Sequence, residues 1–214
     1  MPLGKEKLIK DKNRKWLICY LLLNILLFAL FAAIVSPKYE DINELLSKLR
    51  NPSGFFPLLA FPLATVLDGI IHSDHKAMLV FWRFRNPLPG CSAFSLIAKK
   101  DPRIDINKLA TLFPSGFPEK PKEQNSVWYK LYRQYSEKPI VYGSHKSFLL
   151  TRDLAALTLI LIPFCLIAHL FWQTSLPSIL YHLLLLFALT ILISVAAQHY
   201  GKRFVANVLV EATL

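Results

Sequence analysis

Five groups of residues in this chain have types and spacing that could do chemistry. His72, Asp74 and His75 stand together in the string IHSDHK. Imidazoles and a carboxylate so close can ligate a metal or relay protons. No fourth ligand can be named, so the set also reads as a polar helix end in the headgroup region, and no metal is expected. Asp68 lies inside an apolar stretch, where a carboxylate is costly unless it faces protein or water. Arg152 stands just before another apolar stretch at comparable depth. An Asp68–Arg152 pair would lower that cost, and the alternative is a role in an ion or gating path. His169 is fourth from the end of one apolar stretch and His182 fourth from the start of the next. An antiparallel hairpin brings them to one depth, where they could stack, hydrogen-bond Tyr181 or Gln173, or respond to pH.

The other two groups mix aromatic and basic residues. In FWRFRNPLPG, Trp82 suits the headgroup level of a membrane, with Arg83 and Arg85 on lipid phosphates. The same interleaving would suit stacking on single-stranded nucleic acid, but adjacency to an apolar stretch favours lipid. In SVWYKLYRQY, Trp128, Tyr132 and Tyr135 share a helical face with Leu131. That stripe is either packing surface or a contact with a partner or a second copy. Nucleic acid is permitted by the net charge of +11 but is not the preferred partner. The patterns GxSxG, GxxxxGK[ST], HExxH, GxGxxG and CxxC are all absent. Cys91 has no base beside it in sequence, although His145 could approach in space. The three cysteines are unpaired in spacing, so no disulfide framework is indicated. No catalytic residue and no cofactor is expected.

The elements that must position these groups are set by composition. Hydrophobic residues make up 54% of the 214 and charged residues 18%, with a mean hydropathy of +0.39. A soluble domain carries about 25% charge. The apolar residues also cluster, which excludes disorder and an ordinary soluble enzyme. Trp16–Val35 is a 20-residue uncharged stretch, about 30 Å as a helix. Six basic residues precede it, and it is too long for the core of a cleaved signal peptide. Leu154–Trp172 and Ile179–Ala197 are 19 residues each and lie close enough for a helical hairpin. Phe55–Ile71 is shorter and carries Pro57, Pro62 and Asp68, so it is either a kinked span or a re-entrant hairpin. Counting it as a span places 22 of the 25 Lys and Arg on one side, which the positive-inside rule makes the cytoplasm.

The expected fold is therefore an all-α integral membrane protein. It has four transmembrane helices and a small, mainly helical cytoplasmic domain between the second and third. The segments are a basic cytoplasmic N-terminus (1–15), two spans joined by a short outer amphipathic loop (16–72), the basic domain (73–153), a transmembrane hairpin (154–197) and a cytoplasmic tail (198–214). Within the domain, Ser92–Lys100 reads as a short helix. Asp105 caps a second, and Asn125 or Ser126 caps a third that runs through about Tyr135.

The strings LVFWRFRNPLPGCSAFS, KKDPRID, EQNSVWYKLY and SFLLTRDLAAL resemble those of a family of small bacterial multi-span membrane proteins without a settled activity. The resemblance covers roughly residues 60–160 and implies a shared module ending at the third span. By architecture it is similar to small membrane proteins of anti-phage defence, which act as permeabilising effectors or anchors. It implies no site residues. These readings lead to a non-catalytic protein of the bacterial inner membrane with both termini cytoplasmic. It self-associates and answers to a cytoplasmic protein or ligand. A channel or transporter subunit using Asp68 is the alternative, and an intramembrane enzyme the third.

Overall fold

The computed structural model describes residues 3–34 and 60–214. Within them the chain is helical and no strand occurs. The elements are α1 (Leu3–Ile34), α2 (Ala60–Ile70), α3 (Ser73–Phe81), α4 (Ile106–Thr111), α5 (Pro121–Tyr135), α6 (Pro139–Phe171) and α7 (Leu176–Thr213). Between α3 and α4 lie a 3-10 turn (Pro89–Ser92), a π-turn (Ala93–Ile97) and a single α-turn (Ala98–Lys100). Three helices are long and apolar enough to cross a membrane: Ile9–Ala32 of α1, α6 and α7. α2 has 11 residues, about 16 Å, half of what a crossing needs. The first residues of the expected second span, and the amphipathic helix expected between Ser36 and Gly54, lie outside the described residues.

Several helices differ from the sequence expectation in extent. α6 starts at Pro139 rather than near Leu154. Its added turns bury Val141, His145, Phe148, Leu149 and Arg152, an i, i+4, i+7, i+8, i+11 face that supplies the reason to be helical. α5 starts at Pro121. Proline suits the first helical position, because the N–H it lacks would find no partner there anyway. Asn125 and Ser126 are therefore interior rather than caps. The expected cap Asp105 does start α4, and its Oδ1 accepts from the Asn107 and Lys108 amides at 3.0 Å each. Residues 204–213, which in sequence could be a helical continuation or a short packing tail, continue α7.

The chain divides into two compact units. The apolar unit comprises Arg14–His72 and Asp153–Ile193. Its core takes Leu157, Leu161, Cys165 and Ala168 from one face of α6, Trp172 just beyond its end, and Phe28, Ala32 and Leu186 from α1 and α7. Tyr20 Oη lies 2.8 Å from Thr158 Oγ1, and the Ser178 hydroxyl donates to the Phe31 carbonyl at 2.6 Å. Leu22, Leu26, Leu184, Phe187 and Leu192 stay exposed, as lipid-facing positions do. α6 ends in a Schellman turn. The Gln173 amide donates to the Leu170 carbonyl at 3.1 Å, and the Thr174 amide to the His169 carbonyl at 3.2 Å. Gln173 takes the left-handed conformation (φ 51°) that this turn requires.

The polar unit comprises Met1–Asn13, Ser73–Arg152 and Ser194–Leu214. Its core joins Phe94, Ile97 and Leu109 to Trp128, Leu131 and Tyr132 of α5, Phe148 of α6 and Phe204, Val208 and Leu209 of α7. Gln124 organises the irregular turns. Its buried Oε1 accepts from the Phe94 amide, the Ser95 amide and the Ser95 hydroxyl, each at 3.1 Å, while its Nε2 donates to the Glu119 carbonyl at 2.9 Å. One carboxamide thereby satisfies two amides at the start of the π-turn that would otherwise be orphaned.

Candidate ligand pocket

The polar unit encloses a pocket of about 360 Å³, within the usual size for small-molecule sites. Two helices make its walls by the same spacing. α5 presents Asn125, Trp128, Tyr129 and Tyr132, and α6 presents His145, Phe148, Leu149 and Arg152. Each set is an i, i+3, i+4, i+7 stripe, which is one helical face. Phe204 of α7, the Leu88–Gly90 turn, and Ser73 with Asp74 at the start of α3 complete the lining. Glycine at position 90 lets that turn press on α5. A Cβ there would stand 2.8 Å from Trp128 Cε3 and collide with the Asn125 carboxamide.

Chemically the pocket is an aromatic slot with polar ends. Trp128 stands edge-on to Phe204 at 5.2 Å, and its Nε1 donates to the Val205 carbonyl at 3.3 Å. That bond fixes the indole plane. His145 stacks on Phe204 at 4.5 Å with 6° between the rings, and its Nδ1 lies 3.1 Å from the Tyr132 hydroxyl. The Arg152 guanidinium sits 5.9 Å from the centre of the Phe148 ring, within cation–π range, and the residue is only 4% exposed. The slot thus offers flat apolar surface, an imidazole–phenol pair, a buried cation and, at its rim, the exposed Asp74 carboxylate. Planar molecules with polar edges match that set.

This arrangement draws four residues out of three sequence groups: Asp74, Trp128 with Tyr132, and Arg152. His72 and His75 are exposed and outside the lining. Among the described residues no three potential metal ligands gather. Trp128 and Tyr132, the expected partner-contact residues, are buried in the core of the polar unit. Tyr135 is half-buried against the same core. Trp82 and Phe84 are 59% and 89% exposed, and Arg83 and Arg85 are exposed beside them. Trp82 and Asn86 both take left-handed φ values (53° and 51°), uncommon for a bulky residue. Asn125, His145 as a pocket residue, Phe204 and Gly90 were not foreseen. The His145–Arg152 stripe was legible as a spacing, but only once α6 is known to begin at Pro139.

Two further groups have settled geometry. His169 and His182, in the apolar unit, are both fully buried. Nε2 of the first lies 2.9 Å from Nδ1 of the second, and His169 Nδ1 lies 2.9 Å from Thr174 Oγ1. The expected partners Tyr181 and Gln173 are exposed instead, because the Schellman turn swings Thr174 inward. Phe31 stacks on His182 at 5.0 Å. Asp68 is 7% exposed within the apolar unit. At Cys91, burial and then the Asp74 charge push the thiol above its ordinary value. An activated nucleophile needs the opposite. Compared with family models, curated proteins and solved structures, the chain matches none, so the functional argument rests on this geometry.

Proposed function

We propose that this is a non-catalytic membrane protein whose polar unit receives a small planar molecule with polar edges in the Trp128–Arg152 pocket and passes the event to its membrane helices. The observation that carries the reading is the continuity of α6 and α7. α6 supplies His145, Phe148, Leu149 and Arg152 to the pocket and then Leu157, Leu161, Cys165 and Ala168 to the apolar core. α7 supplies Phe204 to the first and Leu186 to the second. A ligand that shifts either helix in the polar unit thereby acts on a helix that also belongs to the apolar unit. The positive-inside bias supports a cytoplasmic polar unit and four spans, with α2 as part of the second. Likeness in architecture to small permeabilising membrane proteins of anti-phage defence supports a change in bacterial inner-membrane permeability as the output, and Pro57, Pro62 and Asp68 in the short stretch 55–71 support a self-associated form.

The test is a titration of the full chain in nanodiscs with adenine and guanine nucleotides, following tryptophan emission. A saturable change that disappears in Trp128→Phe and weakens about tenfold in Arg152→Lys supports the reading. If no nucleotide gives a saturable signal sensitive to these substitutions, the pocket is structural. A second reading, an ion path through the apolar unit, is favoured by the buried His169–His182 contact. Its test is ion flux that depends on those two histidines and on Asp68 rather than on the pocket.

A further inference from the structure

A second concavity of the polar unit, about 530 Å³, has a different character. Lys100 and Arg103 stand on one side of it and Lys202 and Arg203 on the other. Leu96 and Ala206 give it an apolar floor. Each wall is a helical stripe: Leu96 and Lys100 are four residues apart, and Ala206 is four from Lys202 and three from Arg203. The lining holds one carboxylate, Asp101, and it is already committed. Arg103 Nε donates to Asp101 Oδ1 at 2.9 Å and Nη2 to Oδ2 at 2.7 Å, and the Arg103 amide adds a third bond at 3.1 Å. That fork holds the guanidinium in place and uses up the anion. Among the described residues no carboxylate pairs with Lys100, Lys202 or Arg203. Cations that converge around an apolar floor, uncompensated and in a cleft, form a receptor for an anion with a greasy neighbour.

We infer that this cleft binds a phosphate ester, and that its source is the headgroup of an anionic phospholipid. Oxygen-rich phosphate suits both the Arg203 guanidinium and the point charges of Lys100 and Lys202. The argument for lipid over a free phosphate is the position of the cleft on α7. The apolar run of that helix ends at Ala197, and Lys202 follows about one and a half turns later, the depth at which headgroups lie. Leu96, 40% exposed, would meet the glycerol or acyl end. Basic pockets next to transmembrane helices take anionic headgroups on this principle. The cleft shares no lining residue with the Trp128–Arg152 pocket.

The experiment measures lipid retained by the full chain, by native mass spectrometry from vesicles of phosphatidylcholine with cardiolipin or phosphatidylglycerol. The wild type should retain the anionic lipid over phosphatidylcholine. Lys202→Gln with Arg203→Gln should weaken that retention about tenfold. The swap Lys202→Arg with Arg203→Lys should keep it. Lys122→Gln with Lys130→Gln removes the same charge from the exposed side of α5, outside the cleft, and should change retention less than twofold. Equal loss in this control would reduce the effect to general basicity and overturn the site. Unchanged retention in the cleft variant would also overturn it. Pyrophosphate binding that needs the cleft residues, with lipid retention unaffected, would assign the site to a soluble phosphate and overturn the lipid source. If the double variant does not fold, Lys100→Gln is read by the same criteria.

Discussion

Gln124 shows how much one side chain can hold. Replacing it with Leu keeps the volume but orphans the Phe94 and Ser95 amides, one of them fully buried. Each unsatisfied donor costs about 1–3 kcal/mol. We expect Gln124→Leu to lose roughly 2–4 kcal/mol and to lower the thermal midpoint of the polar unit by several degrees, measured by circular dichroism in mild detergent. Asp101 carries a pH dependence. The hydrogen bonds from Arg103, opposed in part by desolvation, hold its carboxyl below the usual carboxylate range. A folded-state value below the unfolded one contributes stability above about pH 4, and this is lost as pH falls through the depressed value. The gap in thermal midpoint between wild type and Asp101→Asn should therefore be full at pH 7 and narrow as pH falls below about 4. A gap independent of pH would show that the charge of Asp101 contributes nothing. The Asp101-Pro102 pair follows the expected helix Ser92–Lys100, and a residue before proline is disfavoured in a helix. The fork from Asp101 to Arg103, and the role of Gln124, were not legible in sequence, because both depend on irregular turns without a periodic signature.

At the scale of elements, sequence patterning located the apolar runs within a few residues but misjudged where helices begin. Hydropathy marks the lipid-matched part of a helix. It does not mark the turns before or after it, and so α6 begins 15 residues before its expected span and α7 ends 16 residues after its own. Those extra turns carry the pocket and the basic cleft. The His169–His182 contact was legible because two positions equidistant from a tight turn must meet. Its third partner was not, since it depends on the turn type. That turn gives a prediction: Gln173→Gly relieves the left-handed strain and should stabilise the hairpin by about 0.5–1 kcal/mol. A lower thermal midpoint would contradict the Schellman assignment. Gly201 gives another. A Cβ there would stand 2.8 Å from Phe81 Cζ and 3.0 Å from Phe148 Cε2. Overpacking of about 1–3 kcal/mol competes with a gain of about 1 kcal/mol in helix propensity. The clash involves two rings, so Gly201→Ala should destabilise the polar unit.

For the whole molecule, composition was decisive for the membrane class, and three long apolar helices bear it out. The fourth span rests on charge bias. Reporters active only in the cytoplasm, fused near Ser115 and at Leu214, should signal at both positions; signal at Leu214 alone would remove α2 as part of a crossing. Self-association rests on the unusual sequence of 55–71 and is settled by mass in nanodiscs, where a 24.5 kDa monomer at all concentrations would exclude it. The account's central claim is that a ligand in the Trp128–Arg152 pocket acts on the membrane helices. It is tested most directly by dye efflux from liposomes containing the full chain, with adenine and guanine nucleotides added on the side of the polar unit. The account predicts nucleotide-dependent efflux that falls about tenfold in Arg152→Lys and in Trp128→Phe. Efflux that is absent, or the same in wild type and both variants, would contradict it.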